Sequence, residues 1–144
     1  MSDITVIKRD GSKEPFDANK INRSLMKASV GLPDQISKVV QVASELRLTL
    51  FDGMTTEQLE EAVIQTALQN VKDDPDFDTI AARLLLKTMY KTLLGDYETD
   101  DELKALHARE FPKYIKQAVK DGLLDIRMAD ANVFDLSVLA AALD

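Results

Sequence analysis

The residues best suited to chemistry lie near the start of the chain, and they suit a polyphosphate. Lys8 and Arg9 close an alternating strand, Lys13 follows a turn, and Lys20 and Arg23 ride on a helix opened by Asp17. Backbone N–H groups at a helix start, the positive end of the helix dipole and several cations in one compact unit stabilise phosphate oxygens. The same residues also fit a plainer pattern: Lys8 and Arg9 as a solvated basic hairpin, Lys20 and Arg23 as an exposed polar helix face. Glu14 and Asp17 read as capping or surface groups, or as acceptors for an exocyclic amine such as that of adenine. Thr56 opens a later helix, and its hydroxyl and N–H can meet a phosphate while doing so. Arg83, Lys87 and Lys91 recur every fourth residue along another helix, where only Asp78 is acidic. That stripe reads as solubilising, with Lys91 useful to a ligand if the helix passes beneath the strands.

Signatures of catalysis are missing. There is no Gly-x-Gly-x-x-Gly and no glycine-rich loop ending in Gly-Lys-Ser/Thr. His107 is the single histidine and sits in a polar stretch, as an ordinary surface residue would. The absence of cysteine excludes disulfides, thiol catalysis, zinc ribbons and iron–sulfur clusters. Asp73-Asp74 reads as a solvated loop. The expectation is a binding domain, without catalysis in this chain.

The elements that must position these residues fit a chain of 144 residues, enough for one domain or one domain with an attached segment. Its hydrophobic content of 45% supports a real core. The net charge of −7 is unevenly spread: residues 1–31 carry +2 and residues 32–144 carry −9. A positive patch on an acidic protein suits a small anion better than nucleic acid. The start is no signal peptide, and no apolar run approaches a membrane span. Without cysteine or leader, the cytoplasm is the expected compartment.

Ile4, Val6 and Lys8 alternate as a strand, Arg9-Asp10-Gly11-Ser12 has turn chemistry, and Lys13–Phe16 return as a short strand. Pro15 confines that return strand to an edge. Asp17 caps a first helix, Ala18–Val30, whose inward stripe is Ile21, Leu25 and Ala28, with Gly31 as its stop. A second helix starts near Asp34, with Ile36, Val39, Val40, Ala43, Leu46 and Leu50 at helical spacing. Its end, Leu46–Phe51, also fits a strand by alternation. After the Asp52-Gly53 turn, Met54-Thr55-Thr56 fits a third strand. Thr55 and Gln58 have capping-box spacing for a third helix reaching Val71, which buries Leu59, Val63, Thr66, Ala67 and Asn70 or Val71. A fourth helix runs from Phe77 to Leu94, with Ile80, Ala81, Leu84, Leu85, Thr88 and Leu93 on its buried side. Residues 95–102 read as an acidic linker. Phe111-Pro112 starts a further helix with the stripe Tyr114, Ile115, Ala118 and Val119, ended by Gly122. Phe134, Leu136, Leu139, Ala140 and Leu143 suggest one more amphipathic piece. The chain stops at Asp144 without a closing element, as expected of a piece that packs on further chain.

Four separated motifs then stand in order: Val6-Ile7-Lys8-Arg9-Asp10-Gly11; Glu14-Pro15-Phe16-Asp17-x-x-Lys20-Ile21; Asp52-Gly53-x-x-Thr56; and Ala81-Ala82-Arg83-Leu84 through Lys91. Over residues 4–95 they resemble the ATP-cone, the N-terminal allosteric activity domain of ribonucleotide reductase large subunits. Residues 96–144 resemble the connection to the reductase catalytic barrel, which would lie beyond Asp144. The resemblance implies a mostly α fold of the α+β class: a four-helix body capped by a small antiparallel hairpin or three-stranded sheet, then C-terminal helices. It implies residues 1–95 as the nucleotide-binding domain and 96–144 as linker and connection. ATP would activate and dATP inhibit through quaternary structure, with Mg²⁺ on the phosphates and reductase subunits as partners, a homo-oligomer forming on dATP. By position, Lys8, Lys20, Thr56 and Lys91 would hold the triphosphate and ribose, with Arg9 and Lys87 beside them. Glu14 and Asp17 would face the base, wrapped by the Glu14–Lys20 segment with its Phe16 and Asn19, and Ile21 would join the nucleotide-binding set. Some members have Asn where Asp17 stands and His where Glu60 stands; a carboxylate at Glu60 repels phosphate unless Mg²⁺ intervenes or it turns away. Two other readings are a degenerate cone acting as a helical interaction module, and a transcriptional repressor, which would normally carry a zinc ribbon.

Overall fold

The computed structural model describes residues 3–95 and 99–143, which divide into two compact units, Met1–Met89 and Tyr90–Asp144. In the first, Thr5–Ile7 form β1 and Lys13–Pro15 form β2, paired antiparallel with Val6 opposite Glu14. Gly11 takes φ +83°, which the turn between them needs, and the Asp10 carboxylate accepts the Ser12 N–H at 2.8 Å. Met54–Thr55 form β3, which lies on the other side of β1 in parallel, with Val6 beside Met54. The order is β2-β1-β3, so the strand with Pro15 is an edge. The sheet is therefore mixed: an antiparallel hairpin with a parallel third strand. Asp52 fixes that long-range join. Its carboxylate accepts the Thr5 N–H at 2.8 Å, and the Gly53 N–H donates to the Thr5 carbonyl at 2.9 Å. Hydrogen bonding from Thr5, and then from the Gly53 backbone, holds the Asp52 carboxyl below its ordinary range.

Four helices form the body: α1 (Ala18–Ala28), α2 (Gln35–Leu46), α3 (Thr56–Gln69) and α4 (Asp76–Leu94). Asp17 caps α1 by accepting the Asn19 N–H at 2.9 Å. A complete capping box opens α3: Thr55 Oγ1 accepts from the Gln58 N–H, and Gln58 Oε1 accepts from the Thr55 N–H. The core joins Leu25 and Ala28, Val39, Val42 and Leu46, Leu59, Val63 and Ala67, and Phe77, Ile80, Ala81 and Leu84, with Val6 and Met54 from the sheet. The fold is mostly helical with a small sheet, as the class reading expected.

Several expectations need correction. The α2 stripe mixes two faces: Val39, Val42 and Leu46 point inward, while Ile36 is 72% exposed and Val40 also faces out. Lys38 takes an inward position instead, only 5% exposed. Its amine donates to the Pro33 carbonyl and pairs with Asp74 at 3.1 Å and Asp76 at 3.6 Å. Burial pulls its pKa down, but Asp74, Asp76 and Asp34 outweigh that and hold it above the ordinary value. Leu46–Phe51 form no strand: Leu46 is the last residue of α2, and turns follow it at 47–49. Leu85 and Leu93, expected inside, are exposed. The α1 helix stops at Ala28 rather than Val30, with buried Ser29 as its C-cap.

In the second unit, α5 (Asp100–Lys120) begins a full eleven residues before Phe111. Thr99 caps it, accepting the Glu102 N–H at 3.2 Å. Asp100, Asp101 and Glu102, read as linker, occupy its first turn, where carboxylates favour the dipole. Asp96-Tyr97-Glu98, also read as linker, lie outside the described residues. Pro112 lies inside the helix and forgoes one backbone bond. His107, half-buried, packs its ring against Phe111 at 5.5 Å. Gly122, at φ +75°, ends α5: Leu123 N–H donates to the Ala118 carbonyl and Gly122 N–H to that of Val119. Tyr114 is exposed and its hydroxyl donates to the Leu93 carbonyl at 2.7 Å; Ile115, Ala118 and Val119 are half-buried. A 3₁₀ turn (Ile126–Ala129) and α6 (Leu136–Ala142) complete the unit, with Ala140 buried and Leu143 exposed. Among the described residues no helix is long and apolar enough to cross a membrane.

Candidate functional site

Parallel pairing with β3 determines where β1 delivers its last residues. Since β3 leads directly into α3, the far end of β1 meets the N-terminus of that helix. Thr56, first in α3, donates its hydroxyl to the Ile7 carbonyl at 3.3 Å. Arg9 reaches Glu57 at 3.7 Å and Glu60 at 3.9 Å, both in the first two turns. The Glu60 side chain is mostly buried, and its contact with Arg9 offsets part of the cost of that burial.

A second cluster sits where β1, β2 and α1 meet. Lys8 reaches Glu14 Oε2 at 3.0 Å and Lys20 reaches Glu14 Oε1 at 3.1 Å. Sheet register sets this up: Glu14 lies opposite Val6, and Lys8, the residue just past β1, follows Val6 by two positions. Lys20 stands in the first turn of α1, against the positive end of its dipole, and an anion beside it offsets that repulsion. Hydrogen bonds from Lys8 and then Lys20 hold the Glu14 carboxyl below its ordinary range. The sequence reading placed Glu14 toward a base; here its carboxylate lies between the two lysines.

The remaining candidates are distributed around these clusters. The Asp17 carboxylate is engaged in capping α1. Asn19 is exposed, and its carbonyl accepts from Arg23 Nε at 3.4 Å. Phe16 and Ile21 pack against the core and line a cavity of about 20 Å³ between α1 and α2, room for one water rather than a purine. Lys87 donates to the Ser24 hydroxyl, one turn along α1 from Lys20. Lys91 belongs to the last turn of α4, where a cation suits the dipole. Arg83 plays a structural part, donating to the carbonyls of Ala28 at 2.9 Å and Val30 at 2.8 Å and so closing the end of α1.

Three contributors escaped the sequence reading. Glu57 shows only as an acidic residue in a first turn; its meeting with Arg9 depends on the parallel register. Asp52 read as a turn residue, and its bond to Thr5 spans forty-seven positions. Arg83 read as part of a basic stripe. Among the described residues no group of three or more His, Asp or Glu could hold a metal ion. Lys8, Arg9 and Lys20 beside two helix starts instead form a donor set for a polyanion, now matched by Glu14, Glu57 and Glu60.

The ATP cone domain matches residues 4–92, which contain every one of these candidates. The chain is 27% identical over 134 residues to the ribonucleoside-diphosphate reductase large subunit of Arabidopsis thaliana, covering 93% of this chain and 16% of that one. It is 33% identical over 86 residues to large chain 2 of that reductase from Saccharomyces cerevisiae, covering 60% and 10%. It is 33% identical over 96 residues to ribonucleoside-diphosphate reductase 1 subunit alpha of Escherichia coli, covering 66% and 12%. The chain thus spans only 10–16% of the length of these relatives. With the match reaching across both strands of the hairpin and all four helices of the body, the chain belongs to the ATP-cone domain family.

Proposed function

We propose that this chain is a regulatory nucleotide-binding domain of a ribonucleotide reductase large subunit, without chemistry of its own. The observation that carries this reading is the convergence of Lys8 and Lys20, from different elements, on one anionic group beside the start of α1. A triphosphate there meets two lysines and a helix dipole, with Arg9 and the Thr56 end of α3 on the other side. Lys8, Lys20, Thr56 and Lys91 hold the phosphates and ribose, with Arg9 and Lys87 as neighbours. Glu14 and Asp17 face the base, and the segment with Phe16, Asn19 and Ile21 opens to wrap it. Mg²⁺ arrives on the phosphates and screens them from Glu60. Residues 1–95 bind the nucleotide; residues 96–144 connect to a catalytic domain in a cytoplasmic parent enzyme.

ATP and dATP differ by one hydroxyl. A ligand shifts only an equilibrium between states that it binds unequally. In this reading the sheet and α4 take different poses with the two nucleotides, so that dATP favours an inactive homo-oligomer and ATP releases it. The similarity to reductase large subunits supports the assignment of the parent. Calorimetric titration with ATP and dATP, with and without Mg²⁺, tests the binding step. Saturable binding supports the sensor; no binding by a folded chain favours a helical interaction module. Identical oligomer size of the full-length parent with either nucleotide removes the quaternary part.

A further inference from the structure

We propose that Glu14 is a built-in competitor for the phosphates, so that nucleotide entry is an exchange of anions rather than the filling of an open cationic pocket. The inference rests on the nucleotide-binding reading above. The geometry is that of a held ligand. Lys8 directly follows β1 and Lys20 belongs to the first turn of α1, and each takes a different oxygen of the same carboxylate, at 3.0 and 3.1 Å. Glu14 is placed by sheet register opposite Val6 and not by a mobile tip, so its carboxylate is delivered to that position by the backbone. At that end of α1 the Asp17 carboxylate is engaged by the Asn19 N–H as the N-cap, and Glu14 is the carboxylate that pairs with Lys20.

On the α3 side the ratio is reversed: one cation, Arg9, meets two carboxylates, Glu57 and Glu60, at 3.7 and 3.9 Å. Three cations are thus matched by three carboxylates from the same small region. A ligand with one or two charges gains little by displacing them, because it replaces like with like. A triphosphate brings more charge than Glu14 and exchanges favourably. The device sets a charge threshold that favours triphosphates over monophosphates and free phosphate. Once displaced, Glu14 is released from both lysines and is available to another partner.

The test compares wild type with Glu14→Gln, which keeps the side-chain shape and removes the charge. Calorimetry with inorganic tripolyphosphate isolates the exchange from any contact with the base, and ATP is titrated in parallel. Two exposed ion pairs are given up on exchange, so the variant is expected to bind tripolyphosphate roughly threefold to tenfold tighter. Wild type that binds ATP, beside a folded E14Q that binds tripolyphosphate no tighter, overturns this inference and leaves the proposed function standing. No binding of either ligand by either chain overturns both. A second measurement needs no variant: the carboxyl carbon of Glu14 is titrated by NMR in wild type with and without saturating tripolyphosphate. Its midpoint is expected to rise when the lysines leave it. An unchanged midpoint with tripolyphosphate bound overturns the exchange.

Discussion

Lys20→Ala separates a binding role from a structural one. The Lys20 amine pairs with Glu14 at 3.1 Å, with over half the side chain exposed to water. Such a pair contributes about 0.2–1 kcal/mol. With a triphosphate in place, the same amine makes a charge-assisted contact of about 1.5–3 kcal/mol. The difference, about 1–2 kcal/mol, weakens ATP binding roughly fivefold to thirtyfold in the variant. Stability is expected to move much less. Losing the Glu14 pair is offset by removing a cation from the positive end of α1, an effect of about 0.3–1 kcal/mol. Calorimetry with ATP gives the affinity, and thermal unfolding by circular dichroism gives the stability of the same sample. ATP binding that is unchanged in a folded variant refutes the phosphate role. A large fall in the thermal midpoint refutes the separation and makes Lys20 a structural residue.

Thr55→Ala removes the hydroxyl half of the α3 capping box and lowers stability by about 1 kcal/mol in urea unfolding; an unchanged midpoint contradicts the cap. Arg83→Met leaves the Ala28 and Val30 carbonyls without their donor, and costs about 1–2 kcal/mol of stability while ATP affinity holds; a selective loss of affinity would place Arg83 in the site instead. The Asp52 carboxyl lies below its ordinary value of 3.8 in the folded chain, so its contribution is complete above that pH and lost as pH falls through the folded value. Wild type therefore loses stability below about pH 4, and Asp52→Asn shows a shallower decline there; parallel curves would contradict the assignment.

Much of the first unit was legible because its signals are local. The Asp10-Gly11 turn, the Asp17 cap, the edge position of Pro15 and the Thr55–Gln58 box each follow from residues within a few positions of one another. The α3 stripe was equally clear, since its apolar spacing has one solution. Non-local features were not legible. Whether Met54 pairs with β1 in parallel, and so where Arg9 lands, depends on contacts across nearly fifty residues. Lys38 was hidden because its burial depends on Asp74 and Asp76, which follow only after the whole of α3. The extent of α5 was missed because acidic residues suit a linker and a helix N-terminus alike, and because Pro112 suggested a start where the helix simply continues. In the candidate site, the cations and Thr56 could be named from sequence, but their present partners could not. Glu14 read as a capping, surface or base-facing group, and its place between Lys8 and Lys20 depends on the register of β1 and β2.

The central claim is that a nucleoside triphosphate lies over the junction of β1, β2, α1 and α3. The most direct measurement is a backbone-amide NMR titration of the chain with dATP, read residue by residue. The account predicts saturating shifts that concentrate at Lys8, Arg9, Glu14, Lys20 and Thr56 and share one affinity. Shifts confined to α5 and α6, or no saturable shift in a folded chain, would contradict it.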